Sequence, residues 1–189
     1  MTQVGPGRLV LVIGPSGAGK DTLIEGARRL LAGDPTIVFS RRSVTRPPAA
    51  GEDHEPVTPA RFEQLAASGA FALHWRAHGL GYGIPRRIDA DLARGCTVIV
   101  NVSRTIVPTA RRLYPRRLIL YIDARPELRA ARIAGRGREV ETDIKQRLDR
   151  NPGLQVDGDD VVRIDNSTSV EAALDTFLRA IAKDRLAHT

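Results

Sequence analysis

The chain has 189 residues, 42% of them hydrophobic, which suits one globular domain with a substantial core. No run of 18 or more apolar residues occurs, and the N-terminus lacks a basic segment followed by an apolar one, so neither a membrane span nor a secretory signal is expected. The net charge is +7 and favours anionic partners. Cys96, the single cysteine, excludes an internal disulfide, and 4% aromatic content with no interleaving among basic residues argues against a stacking surface for nucleic acid. The expectation is a cytoplasmic protein, monomer or homodimer, with no nucleic-acid or membrane partner.

Taken in chain order, Arg8 to Ile13 is a short, β-branched apolar run and predicts a buried strand. Gly14 to Gly19 interrupts it, and Lys20 to Leu31 predicts a helix with Leu23, Ala27, Leu30 and Leu31 on one face. Ile37 to Ser40 predicts a strand, and the polar stretch Arg41 to Glu55 a loop. A helix is expected over Pro59 to Ser68, a strand over Phe71 to Trp75, a glycine-rich turn over His78 to Gly83, and a helix over Pro85 to Arg94 with its proline in the first turn.

Strands at Thr97 to Val102, Arg117 to Ile122 and Val161 to Ile164 alternate with helices at Thr105 to Tyr114, Pro126 to Ala134, Asp143 to Arg150 and Ser169 to Leu186. A charged loop covers Arg136 to Glu141. The alternation predicts an α/β fold, parallel strands with helices on both faces, in one domain over 1–189. Residues 41–94 read as an inserted subdomain.

The chemistry-bearing motif is Gly14-Pro15-Ser16-Gly17-Ala18-Gly19-Lys20, the spacing of a phosphate-binding loop between a strand and a helix. Glycines let backbone amides curl around phosphate oxygens, Lys20 adds a point charge for the β- and γ-phosphates, and the helix N-terminus adds its field. ATP and Mg²⁺ are the expected ligands, with Gly14 to Thr22 as the nucleotide site. The residue after the lysine, usually Ser or Thr, is here Asp21, followed by Thr22. Asp21 is either a hard oxygen ligand for the metal or an electrostatic cap of the helix.

The phosphate loop, the segment SRRSVTRPPAAGEDHE and the stretch HGLGYG together resemble the guanylate kinase family, and the likeness runs through most of the chain in the same order. The resemblance implies a three-layer P-loop fold with a parallel five-stranded core, a small acceptor-binding subdomain (41–94) and an arginine-bearing lid (135–150). Arg46 falls on the threonine-arginine pair that holds an acceptor phosphate, and Gly51, Glu52, Gly79, Tyr82 and Gly83 match as well. Arg132, Arg136 and Arg138 match the lid, and Arg147 the helix beyond it.

The departures bear on the acceptor. A second phosphate-holding arginine would align with Ala49, the guanine-reading carboxylate with Leu73, and a hydroxyl residue with Ile84-Pro85. A site that has lost the partners for a base loses that base by orders of magnitude.

GPSGAGKDT, VTR, GEDH, WRAHGLGYG, VNVSR and GRGRE followed by RLDR look more like the ribose 1,5-bisphosphate phosphokinase family of phosphonate catabolism, which also carries Asp after the loop lysine and Asn-x-Ser-Arg at the strand end. That resemblance implies transfer from ATP to ribose 1,5-bisphosphate, a small phosphorylated sugar, to give 5-phosphoribosyl 1-diphosphate. A guanylate or other nucleoside monophosphate kinase is the alternative, and a non-catalytic scaffold domain a further one.

Candidate roles follow. Lys20 serves catalysis with Arg136 and Arg138. Arg46, Glu52, Tyr82, Arg104 and Arg147 serve the acceptor, with Arg41 and Arg42 as further candidates. Asp21, Thr22 and Asn101 serve the metal, although Asn101 is equally a strand-end turn former. Trp75 lines the acceptor pocket or packs in the core, and Asp165-Asn166 falls where adenine is met. His54, His74, His78 and His188 lack metal-ligand spacing.

Overall fold

A computed structural model describes residues 5–48, 53–135 and 156–186 of the chain. Five strands form a sheet that is parallel throughout: β1 (Arg8–Ile13), β2 (Ile37–Phe39), β7 (Thr97–Asn101), β8 (Arg117–Asp123) and β9 (Val161–Asp165), in the spatial order β2-β7-β1-β8-β9. Every residue of β1 is buried, because both faces of the sheet are covered. Leu9, Leu11 and Ile13 pack on one face with Ile88 and Leu92 of α3 (Arg87–Ala93) and Val107 and Ala110 of α4 (Val107–Leu113). Val10 and Val12 pack on the other with Leu23 and Ala27 of α1 (Lys20–Leu30) and Phe177 and Ile181 of α6 (Val170–Leu186). The chain leaves β1 for β2 on one side and later reaches β8 on the other. The carboxyl end of β1 is therefore a topological switch point, where open α/β sheets hold ligands.

A second sheet separates from this core. It contains β3 (Arg42–Val44), β4 (His54–Pro56), β5 (Phe71–Ala77) and β6 (Leu80–Pro85), in the order β4-β3-β6-β5. The loop expected over Arg41 to Glu55 thus carries two short parallel strands. Three-residue strands built from Arg, Ser, His and Glu show no alternation to read.

The turn expected over His78 to Gly83 is also corrected. Only His78 and Gly79 turn, with φ of 53° and 70°, as a two-residue hairpin turn with both central residues left-handed requires. Gly81 and Gly83 lie within β6. A Cβ on them would stand 2.8 Å and 2.4 Å from the rings of Phe62 and Phe71, so these glycines make room for aromatic packing. Phe62 comes from α2 (Pro59–Ala67), whose N-cap Thr58 accepts from the Arg61 amide. Pro85 ends β6 beside a register shift, and the next helix begins at Arg87, so the proline closes a strand and does not open a helix. The helix read from Thr105 opens as a 3-10 turn, Arg104–Ile106, before α4. The loop expected over 136–141 and the helix over 143–150 lie outside the described residues.

The approach to β9 is tied down by charge. Asp160 accepts from Arg111 Nη2 at 2.6 Å and from Arg117 Nε at 2.6 Å, joining the segment before β9 to α4 and β8. Burial alone would raise this carboxyl, but the two guanidiniums outweigh it and hold the group below its ordinary value. A depressed folded-state value stabilises the fold above the unfolded carboxylate range, and that contribution fades as pH falls through the lowered value. Asp160→Asn is expected to cost about 1.5–3 kcal/mol at neutral pH, the scale of lost charge-assisted bonds. The gap to wild type should begin to narrow as pH falls below roughly 3.9, the ordinary carboxylate value, and close only as pH falls through the lowered folded-state value. Urea unfolding across pH reads both, and a gap independent of pH would contradict the assignment.

Candidate active site

The loop between β1 and α1 lies at the switch point, and its carbonyls are systematically occupied. Lys20 Nζ donates to Gly14 O at 2.8 Å and Pro15 O at 2.9 Å. Arg129 Nε donates to Ser16 O at 3.2 Å and Arg132 Nη1 to Gly17 O at 3.5 Å, both from α5 (Pro126–Ala134). Asn166 Nδ2 donates to Ala18 O at 2.8 Å, and the Leu23 amide to Gly19 O at 3.1 Å. The Ala18 amide donates back to Pro15 O at 3.4 Å; with each carbonyl engaged, the other loop amides and those of the first turn of α1, which have no intrahelical acceptor, form the recognition surface for an anion. Gly19 begins the helix at φ 90°, and a Cβ there would lie 2.3 Å from Asn166 Nδ2, so only glycine keeps the brace.

Three cavities surround this loop. The central cleft is lined by Gly14, Ser16, Gly17, Gly19, Lys20 and Asp21 on one side, and on the other by Arg42, Trp75 and Tyr82 of the second sheet with Arg46 and His78 of its connecting segments. Asn101 and Ser103 also line it, at the end of β7. Beside it lies a cavity lined by Gly17, Gly19, Thr22, Arg132, Asn166 and Val170. A third runs along α1, lined by Asp21, Ile24, Glu25, Arg28, Phe39, Arg42, Asp53 and Asn101.

The structure brings many of the expected residues together. Lys20, Asp21, Arg46, Tyr82 and Asn101 share the cleft. Asn101 Nδ2 donates to Asp21 Oδ1 at 2.7 Å, and Asn101 Oδ1 is buried with no hydrogen-bond partner among the described residues. Trp75 and Tyr82 stack in parallel, centroids 5.3 Å apart, as one wall.

Others stand elsewhere. Thr22 is exposed and lines the cavity on the Asn166 side, apart from Asp21 and Asn101. Arg104 follows the cleft's Ser103 and donates to Tyr121 Oη at 3.3 Å. Arg41 is paired with Asp53 at 2.5 Å. Pro15 and Ala18 are buried within the loop. Ala49, Gly51, Glu52, Arg136, Arg138 and Arg147 lie outside the described residues. Among those described, no cluster of three His, Cys, Asp or Glu suits a metal, and no helix is long and apolar enough to cross a membrane.

Two functional contributions escape a sequence reading. Arg129 braces the loop over 113 positions, and Asn166 over 148. The one available signal was the i, i+3 spacing of Arg129 and Arg132, which puts both on one face of α5.

Comparison with known proteins places this geometry. The chain is 53% identical over 154 residues to ribose 1,5-bisphosphate phosphokinase PhnN of Rhodopseudomonas palustris, covering 82% of this chain and 79% of that protein. It is 49% identical over 179 residues to PhnN of Azotobacter vinelandii (94% and 97% covered) and 50% over 179 residues to PhnN of Acidiphilium cryptum (95% and 94%). The chain belongs to the ribose 1,5-bisphosphate phosphokinase family. No protein-family model matches it. Among solved structures, guanylate kinase from Anaplasma phagocytophilum superposes with a TM-score of 0.66 at 19% identity, covering 95% of this chain and 87% of that one, which shows a guanylate-kinase-like fold.

Within that fold, Leu73, which the sequence resemblance sets against a guanine-reading carboxylate, is 1% exposed and part of the core. Leu73→Glu is expected to cost about 3 kcal/mol or more by burying an unpaired carboxylate, without gaining turnover of GMP. Denaturant unfolding and a GMP assay check both halves, and a stable variant with strong GMP turnover would contradict the placement.

Proposed function

We propose that this chain transfers the γ-phosphoryl group of ATP to the 1-phosphate of ribose 1,5-bisphosphate, releasing ADP and 5-phosphoribosyl 1-diphosphate. The observation that carries the reading is one cleft in which an amide-presenting phosphate loop with Lys20 faces Arg42 and Arg46, while Leu73, set by the resemblance at the base-reading position, is buried in the core. Membership of the phosphokinase family supports the same acceptor. Both substrates are polyanions, and the cleft's cations match them.

The acceptor chemistry needs little from the protein. A phosphate monoester has its second pKa near about 6 and is a dianion at neutral pH. One of its oxygens attacks Pγ, the bond from Pγ to the β–γ bridging oxygen breaks, and ADP leaves with that electron pair. No proton must be removed, so no general base is required. Catalysis rests on in-line placement and on neutralising the transferring oxygens.

The loop amides and Lys20 hold the β- and γ-phosphates. Arg46 holds the acceptor's reacting phosphate, and Arg136 and Arg138 act on the transferring group. Glu52, Arg104 and Arg147 support the acceptor. Asn166, whose Oδ1 is buried and without a partner among the described residues, accepts from the adenine amino group in the cavity beside the loop.

The donor set suits Mg²⁺. Asp21 and Asn101 offer hard oxygens side by side, and the unpartnered Asn101 Oδ1 is the kind of atom a cation satisfies. When bound, the ion neutralises phosphate charge. Thr22, on the other side of the helix start, contributes less to that set. The protein acts on a phosphorylated sugar in the cytoplasm.

An ADP-release assay with a panel of acceptors tests the assignment. Ribose 1,5-bisphosphate should turn over well and GMP poorly, and the reverse would refute it. Lys20→Ala should lower kcat/KM by at least about two orders of magnitude, the scale of removing one preorganised charge contact. Near-normal turnover would contradict the site.

A further inference from the structure

Most arginines near the cleft have a carboxylate or carbonyl partner. Arg28 pairs with Asp53 at 2.6 Å and Glu25 at 3.3 Å, Arg41 with Asp53, and Arg29 with Glu25 at 3.5 Å. Arg129 and Arg132 are engaged by the phosphate loop. Arg42 is different. It is half-buried, yet among the described residues its guanidinium makes no hydrogen bond and no ion pair. Its Cζ lies instead over the Tyr82 ring, 5.8 Å from the centroid, and Tyr82 is itself stacked with Trp75.

The carboxylates of the adjoining cavity do not neutralise it. Asp53 and Glu25 are held by Arg28, Arg29 and Arg41, and Asp21 accepts from Asn101. Arg42 stands at the junction of the cleft and the cavity along α1, whereas Arg46 lines the cleft alone. A partly desolvated guanidinium with its fork of donors open to a substrate cleft is built for a planar oxyanion face.

We propose that Arg42 binds the second, non-reacting phosphate of the acceptor and so makes this site a reader of sugar bisphosphates. The inference rests on the reaction proposed above and adds a division of labour: Arg46 on the phosphate that is transferred to, Arg42 on the distal one. Contact with the Tyr82 ring restricts the guanidinium before the substrate arrives, so less ordering remains when the fork meets the distal phosphate.

Ribose 1,5-bisphosphate and ribose 1-phosphate share the reacting phosphate and differ only in the distal one. The ratio of their kcat/KM values therefore isolates the distal contact. In wild type the ratio should favour the bisphosphate strongly. In Arg42→Gln it should fall about 10- to 150-fold, the equivalent of one charge-assisted contact, mostly through KM for the bisphosphate. Arg42→Lys, which keeps the charge but not the fork, should give an intermediate ratio, and thermal melting of each variant confirms that it is folded. Wild-type turnover of the bisphosphate combined with an unchanged ratio in Arg42→Gln would overturn this inference alone. A wild type that prefers GMP and ignores the bisphosphate would overturn the reaction and this inference with it.

Discussion

The site depends on the saturation of one short run of carbonyls. From Gly14 to Gly19 every backbone oxygen has a donor, drawn from Lys20, Arg129, Arg132, Asn166 and the Leu23 amide. A peptide unit has two ends, and tying down the oxygen orients the N–H. A loop of oriented amides is a fixed positive concavity that needs no reorganisation when a polyphosphate arrives. The donors come from three parts of the chain that only the parallel sheet brings together. The sheet order, with β1 between β7 and β8, is thus the architectural condition for the chemistry.

The other side of the cleft, proposed to face the acceptor, follows a different logic. Its wall is a small sheet inserted between β2 and β7 and stiffened by rings: Phe62 on Phe71, centroids 5.2 Å apart, and Trp75 on Tyr82. Glycines at 81 and 83 permit the first pair, and the Tyr82 ring also carries Arg42, with Cζ 5.8 Å from its centroid. Aromatic packing sets the direction of a cation without neutralising it, whereas a carboxylate partner would do both. A surface meant to receive anions gains from the first arrangement and loses from the second.

Sequence reading reached the core and the loop because both carry local signals. β1 and β8 are buried on both faces and therefore read as continuous apolar runs, and the phosphate loop is a contiguous motif in its expected context. The second sheet was illegible for the opposite reason. Arg42–Val44 and His54–Pro56 are too short and polar to show a period, and the glycines of Leu80–Pro85 mimic a turn because their purpose is space for rings supplied by residues 62 and 71. Arg129 and Asn166 were illegible as braces because their partners are more than a hundred positions away. That Arg42 has no ion pair among the described residues is equally illegible, since the sequence has arginines at 28, 41, 42 and 46 and only the fold shows that Asp53 pairs with Arg28 and Arg41.

This distribution also explains how one scaffold can serve different acceptors. In the proposed reaction the loop and its braces, which belong to the main core, would handle the donor and the transferred group. The acceptor would be read by side chains of a separate sheet, joined to that core through a few buried positions, Leu73 and Ile84 among them. Because an acceptor phosphate is already ionised, changing acceptors requires no new acid or base and no change in the loop. It requires only that the reading wall exchange partners for a base for cations oriented toward a second phosphate. The buried Leu73, and Arg42 against Tyr82 with no counter-ion among the described residues, are the physical form such an exchange would take.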